Sequence, residues 1–372
     1  MKVGIITFFR PINTGAVLQA CATNRIISDK LGIISELLDY RLPRTEYYRR
    51  CFNMDMILRQ KSTMLKLRRL AGSILFYPNR RNENKLYDEF IRKYLRVSDT
   101  AYSGIEALKD AEDSYDAFIT GSDLVWSPLM TEGVNPVYFL EFAPGKKRIS
   151  YAASIGENDL SDALLKQIAG KADKLDYISL RESTTAQQLQ KYVSKKVYTV
   201  LDPTLLTHME DWEKFYACEP ICKEKYIFAY CLEDSDIFIR QVNFLSETYG
   251  YKVITNTSLR GYSGQNIKSA KFKIGPSEFL NYVRYAQIVV TNSFHGCAFS
   301  IIFHKDFYCI PHSVRGIRMT DIMSSFKIDN RIIQNDIGIR KEIDYAKLED
   351  IRENMIAQSM DYLHSALKDK KI

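Results

Sequence analysis

The chain opens with Val3-Gly4-Ile5-Ile6-Thr7-Phe8-Phe9, an apolar run, then Arg10-Pro11-Ile12-Asn13-Thr14, then residues 15–31, whose apolar side chains recur at helical spacing. An apolar run closed by a Pro break and followed by a 3.6-residue period reads as buried strand, loop and helix. Gly32 stands where a helix C-terminal cap belongs, and residues 33–39 read as the next strand. That is a βαβ unit.

Outward from this unit the alternation continues. Strands are expected at 117–120, 148–152, 177–180 and 197–201, with helices over 163–174 and 184–193. A second series follows the connector 202–225: strands at 226–232, 252–256, 288–291 and 307–310, helices over 237–249, 278–285 and 295–304, and a looser polar stretch at 257–273. Two βα series in succession predict an α/β fold of two Rossmann-like domains facing across a cleft. The domains fall at 1–205 and 206–335. The tail 336–372 carries helical periodicity over 345–367, which predicts a helix packing back on the scaffold.

A length of 372 residues leaves room for both domains, and 46% hydrophobic with 26% charged residues excludes a disordered or fibrous chain. The net charge of +7 is unevenly placed: residues 41–96 hold 15 Lys/Arg against 5 Asp/Glu, so the remainder is slightly acidic. This segment departs from the βα alternation and reads as an insertion. Met54, Ile57, Leu58, Met64, Leu65, Leu67, Leu70, Ile74 and Leu75 alternate with Arg59, Lys61, Lys66, Arg68 and Arg69, a pattern of basic amphipathic helices. Such helices suit an anionic membrane surface or a phosphorylated partner, and a solvated face over a packed hairpin explains the pattern equally well. No nucleic-acid-binding module accompanies the charge, and no nucleic-acid partner is expected.

Seven cysteines, an odd number without scaffold spacing, point to a reducing, cytoplasmic compartment. Cys218-x3-Cys222 with His208 lacks a second ligand pair, so no metal is expected. No stretch approaches the ~18 consecutive apolar residues of a membrane span.

In open α/β sheets ligands bind beyond the carboxyl ends of strands, near helix N-termini. Five polar clusters occupy such positions: Asn13-Thr14-Gly15, Gly121-Ser122-Asp123, Ser154-Ile155-Gly156, Arg181-Glu182-Ser183 and Asn292-Ser293-Phe294-His295-Gly296. Asn13 with Gly15, and Gly121-Ser122-Asp123, read equally as helix caps, and Asp202-Pro203-Thr204 reads as a structural turn. Arg181, directly after a strand, is expected in the cleft. His295 at a helix start should have a lowered pKa that a bound phosphate would raise again.

Together these pieces resemble the polysaccharide pyruvyl transferase family. Asn13-Thr14-Gly15-Ala16-Val17-Leu18-Gln19, Gly121-Ser122-Asp123-Leu124-Val125-Trp126, Ser150-Tyr151-Ala152-Ala153-Ser154, Leu180-Arg181-Glu182-Ser183, Asp202-Pro203-Thr204 and Ser293-Phe294-His295-Gly296 occur in family order over residues 1–330. The resemblance implies a GT-B-like fold and transfer of a pyruvyl group from phosphoenolpyruvate to a sugar as a ketal, in capsule, exopolysaccharide or cell-wall glycan synthesis. The chain departs from the family pattern at Leu124, Ser127 and Asn292, and Ser293-Phe294 stands where the cell-wall branch has Arg-Leu before the His. One cation is therefore missing there. Arg318 is expected to replace it, with Arg315 in reserve.

On this reading Arg181, His295, Ser293, Arg318 and the Gly15 helix start bind phosphoenolpyruvate. His295 supplies the proton, while Asn13, Ser122 and Asp123 face the acceptor, with Asp123 orienting or deprotonating its hydroxyl. No metal or redox cofactor is needed. The acceptor is a sugar, on a lipid diphosphate at the inner membrane face in one version of this reading. Two rival readings keep the fold: a GT-B glycosyltransferase using a nucleotide-sugar, and a non-catalytic glycan-binding protein of the membrane surface.

Overall fold

The computed structural model describes residues 1–60, 62–263 and 266–368. Lys61, Gly264, Gln265 and residues 369–372, which belong to the basic segment, the polar stretch and the tail of the sequence reading, lie outside them.

The first sheet is parallel, with strand order β3-β2-β1-β4-β5: β1 is Lys2–Ile6, β2 Ile34–Tyr40, β3 Val97–Tyr102, β4 Ala117–Thr120 and β5 Lys147–Ser150. Strands β6 (Ile178–Leu180) and β7 (Val197–Thr199) pair in parallel and continue it through the bridges Ile149 to Tyr177 and Ala153 to Leu180. The second sheet is also parallel, in the order β10-β9-β8-β11-β12: β8 is Tyr226–Tyr230, β9 Lys252–Thr255, β10 Ile267–Ser269, β11 Ile288–Thr291 and β12 Asp306–Cys309. The interior strands β4 and β11 are buried along their whole length, as parallel sheets covered on two faces require.

Helix α1 (Thr14–Arg25) follows β1, and the helix read over 15–31 ends in a π turn at Ile26–Lys30 before Gly32, whose φ of +68° makes it the expected left-handed cap. Between β2 and β3 lie α2 (Pro43–Arg49), α3 (Met54–Leu58), α4 (Thr63–Leu75) and α5 (Tyr77–Tyr94). Segment 41–96 is therefore a long β2-to-β3 crossover within the alternation, which corrects the reading of an insertion outside it. The misreading came from β3: Val-Ser-Asp-Thr-Ala-Tyr is an edge strand with three exposed residues and no apolar run. Edge strand β10 inside the polar stretch escaped notice for the same reason.

The short helices α6 (Gly104–Lys109) and α7 (Pro128–Thr131) flank β4, and α8 (Asp162–Ala172) and α9 (Ser183–Gln190) flank β6. After α10 (Met209–Trp212), α11 (Asp236–Tyr249) and α12 (Pro276–Tyr285) serve the second sheet, α13 (Phe294–Ile302) follows β11, and α14 (Ile317–Ser325) follows β12. The last helix, α15 (Tyr345–Lys368), returns to the first sheet. Tyr362 donates its hydroxyl to Ser150 O at 2.7 Å, Arg352 Nε donates to Leu205 O at 3.2 Å, and Ser359 Oγ accepts from Leu201 N. No helix among the described residues is long and apolar enough to cross a membrane.

Candidate functional site

The C-terminal ends of β1, β4 and β11 converge on one cleft of about 460 Å³ lined from both halves of the chain. Asn13, Asp123 and Leu124 come from the first sheet, Leu232, Ser293, Phe294 and His295 from the second, Arg315 and Arg318 from the β12–α14 region, and Arg44, Thr45, Tyr48 and Arg49 from α2. Four arginines against one carboxylate leave its lining electropositive, with Arg49 paired to Asp88.

His295 stands in the first turn of α13. That turn is capped by Ser293, whose hydroxyl accepts from Gly296 N at 3.3 Å. The imidazole packs against the start of α1, where a Cβ on Gly15 would stand 2.1 Å from Nδ1, so only glycine admits the ring. His295 Nε2 is buried without a hydrogen-bond partner, 3.8 Å from Asp202 Oδ2. Burial holds its pKa below the usual histidine value, with Arg181 and Arg318 adding to the effect and Asp202 and Asp123 opposing it.

Asp202 is fully buried and ties the floor together. Its Oδ2 accepts from Ser122 Oγ and Arg181 Nη1, both at 2.8 Å, and its Oδ1 accepts from Thr204 N and Oγ1. Burial opposes its ionisation, but His295, Arg181 and the Thr204 hydrogen bonds prevail, and the carboxyl lies below its usual range.

The two buried arginines are partnered differently. Arg181 meets Asp202, Glu182 at 2.9 Å and Asp123 at 3.8 Å, and stacks 4.2 Å above the Phe294 ring. Burial alone would lower its pKa, yet these three carboxylates raise it. Arg318 makes no ion pair among the described residues, and the hydrogen bond of its guanidinium is to Arg315 O at 3.4 Å. Burial, with Arg181 and Arg315 nearby, brings its pKa down to about 9 against the pull of Asp123 and Glu182, so it remains charged at neutral pH. It reaches this place past Gly156, where a Cβ would lie 3.1 Å from Arg318 Cδ and 2.1 Å from Leu124.

The structure thus brings Asn13, Asp123, Ser293, His295, Arg315 and Arg318 to one cleft. Three expected residues do not line it. Arg181 lies in the ion cluster beneath, because the adjacent Glu182 and Asp202 hold it there; Ser122 is fully buried with its hydroxyl on Asp202 and Ala152 O; and Gly15 is covered by the His295 ring. Asn13 and Ser293 are helix caps as well as lining residues.

Sequence reasoning reads Asp202 as a structural turn and as part of a family motif but gives it no site role; the turn is real and accompanies the hub described above. It also kept the basic segment apart from the donor pocket, whereas α2 places Arg44 and Arg49 on the cleft wall; their signal was the local charge excess itself. His208 meets Glu349 and Glu353 rather than Cys218 and Cys222.

Two parallel sheets joined across this cleft, with α15 crossing back, define a GT-B fold. The solved structures that resemble the chain include a Listeria monocytogenes protein described as a UDP-N-acetylglucosamine 2-epimerase, with a TM-score of 0.51 and 9% identity over 97% of this chain and 87% of that one. Another is S. aureus MnaA, solved with UDP, with a TM-score of 0.50 and 10% identity over 100% of this chain and 98% of that one. At such identity the likeness concerns the fold alone. A search of curated protein sequences finds no match. The profile of the polysaccharide pyruvyl transferase family matches residues 13–314, and the chain belongs to that family.

Proposed function

We propose that the protein moves the enolpyruvyl group of phosphoenolpyruvate onto two hydroxyls of a sugar, closing a pyruvate ketal, in capsule, exopolysaccharide or cell-wall glycan synthesis. The observation that carries this reading is Arg318, a buried guanidinium left without a carboxylate at the wall of a cleft shared with His295. A buried unpaired charge is costly by itself and is offset when an anion enters. The donor brings a carboxylate and a phosphate of roughly −1.5 to −2 charge, for which Arg318, Arg315, Arg44 and protonated His295 are suited.

Protonated His295 delivers its proton to the vinyl carbon, and the oxocarbenium-like centre is attacked by the first sugar hydroxyl, whose proton passes to Asp123 or back to His295. Loss of inorganic phosphate and attack by the second hydroxyl close the ketal. One hydroxyl proton ends in the new methyl group and the other leaves with phosphate. No step calls for a metal or redox cofactor. The acceptor we favour is a sugar carried on a lipid diphosphate at the inner membrane face.

Incubation with phosphoenolpyruvate and a panel of free and lipid-linked sugars should release phosphate and add the mass of a ketal-linked pyruvate. His295→Gln should reduce turnover by roughly 10²–10⁴-fold while phosphoenolpyruvate still binds. Saturable binding of a nucleotide-sugar, with phosphoenolpyruvate neither bound nor consumed, would overturn the reading.

A further inference from the structure

Helix α4 is amphipathic in the wrong sense for a packed helix. Met64, Leu67, Ala71, Ile74 and Leu75 fall at i, i+3, i+7, i+10 and i+11, one stripe of the helix. That stripe faces outward: Met64 is 79% exposed, Leu67 61%, Ile74 61% and Leu75 71%. The side turned to the protein carries Ser73, which is buried, with Lys66 and Leu70 half-buried. Met54 and Leu58 of the adjoining α3 and Phe76 after α4 extend the exposed apolar surface.

Basic residues border this ridge. Between Arg50 and Arg81 the chain has eight Lys/Arg and a single acid, Asp55. Arg59, Lys66, Arg68, Arg69, Arg80 and Arg81 form no ion pair among the described residues. An apolar ridge flanked by unneutralised cations matches the acyl boundary and headgroup layer of an anionic bilayer. A second copy would set Arg68 and Arg69 against like charges, and a nucleic acid offers no apolar layer for Leu67, Ile74 and Leu75.

We infer that the outward face of α4, with α3, docks on an anionic lipid bilayer. The surface connects to the cleft through α2: Arg44, Tyr48 and Arg49 line the cleft, and Asn53, which caps α3, donates to Tyr47 O of α2 at 3.2 Å. A docked molecule would present the α2 wall of its cleft near the lipid surface, where a lipid-carried acceptor resides. Only this placement of the acceptor rests on the proposed reaction; docking itself does not.

Flotation of the full chain with phosphatidylcholine vesicles, with and without phosphatidylglycerol, tests the docking in the absence of any substrate. The protein should float only with the anionic vesicles. Arg68→Glu with Arg69→Glu should weaken this binding by roughly thirtyfold or more, and Leu67→Ser with Ile74→Ser and Leu75→Ser should abolish it. Both variants change exposed side chains and should melt as wild type and turn over a soluble acceptor unchanged. Failure of the wild-type protein to float overturns the docking, as does undiminished flotation of the serine variant or a dimer in sedimentation that this variant dissolves. Phosphoenolpyruvate consumption in solution, without vesicles, reports on the reaction separately.

Discussion

Arg181 and Arg318 are both about 7% exposed and lie near enough for each to affect the other's charge, yet they are partnered differently. Arg181 sits among Asp202, Glu182 and Asp123, which neutralise it and hold its pKa high. Arg318 has burial without neutralisation. A cation paired by the protein's own carboxylates is architecture; one left unpaired at a cleft wall is available to a ligand. On the proposed reading the contrast favours Arg318 over Arg181 as the donor's anchor, although Arg181 carries the stronger signal by location.

Substitution separates the two most sharply at Arg181. Arg181→Met leaves buried carboxylates unpaired and should destabilise the fold by about 3–5 kcal/mol, seen as a large fall in the denaturation midpoint. A variant that keeps wild-type stability and loses only phosphoenolpyruvate binding would collapse the distinction. Arg318→Met, in contrast, should melt no lower than wild type while losing about 2–5 kcal/mol of phosphoenolpyruvate binding, measurable by calorimetry. Equal affinity in that variant would remove Arg318 from the donor site.

How much of this was legible beforehand depends on what each residue does locally. The βα series could be read because parallel strands buried on both faces are continuous apolar runs: Ala117–Thr120 and Ile288–Thr291 match the expectation residue for residue. Edge strands β3 and β10 lack that signature. The cleft positions of His295, Asp123 and Arg318 are expected from their strand-end positions or the family resemblance. Asp202, though part of the family motif, reads locally as a turn, since a cap and a charge hub look alike in Asp-Pro-Thr. Arg44 and Arg49 reach the cleft only through the path of the β2-to-β3 crossover, which no local pattern encodes.

The comparison can be sharpened without touching either arginine. Gly15→Ala would put a methyl group 2.1 Å from the His295 ring, and the backbone of α1 cannot yield that distance. Overpacking of this kind costs about 1–3 kcal/mol, and the displaced imidazole should lose proton transfer. Turnover should fall further than phosphoenolpyruvate affinity does, because Arg318 is unaffected. Proportionate losses in both would mean that the ring itself anchors the donor.

The smallest effect concerns the proton on His295. In the free protein burial depresses its pKa below the usual ~6.5, so the ring is neutral near pH 7. Neutrality is favoured by the fold, hence this residue's contribution to stability is present above the unfolded value and is lost as pH falls through the folded one. A phosphate held by Arg318 brings negative charge to Nε2, which has no hydrogen-bond partner of its own, and must raise the pKa. Donor binding near neutral pH should therefore take up a proton, seen as a binding enthalpy that depends on the ionisation enthalpy of the buffer. The dependence should vanish in His295→Gln. It should persist in Arg181→Met if enough of that protein folds, but fade in Arg318→Met, where the phosphate is no longer drawn to the ring. Kinetically, kcat/KM should decline as pH rises from below the free-protein pKa, whereas kcat should hold to a higher pH because the bound donor keeps His295 protonated. Identical pH limits for the two constants would show that the donor's phosphate does not lie against His295.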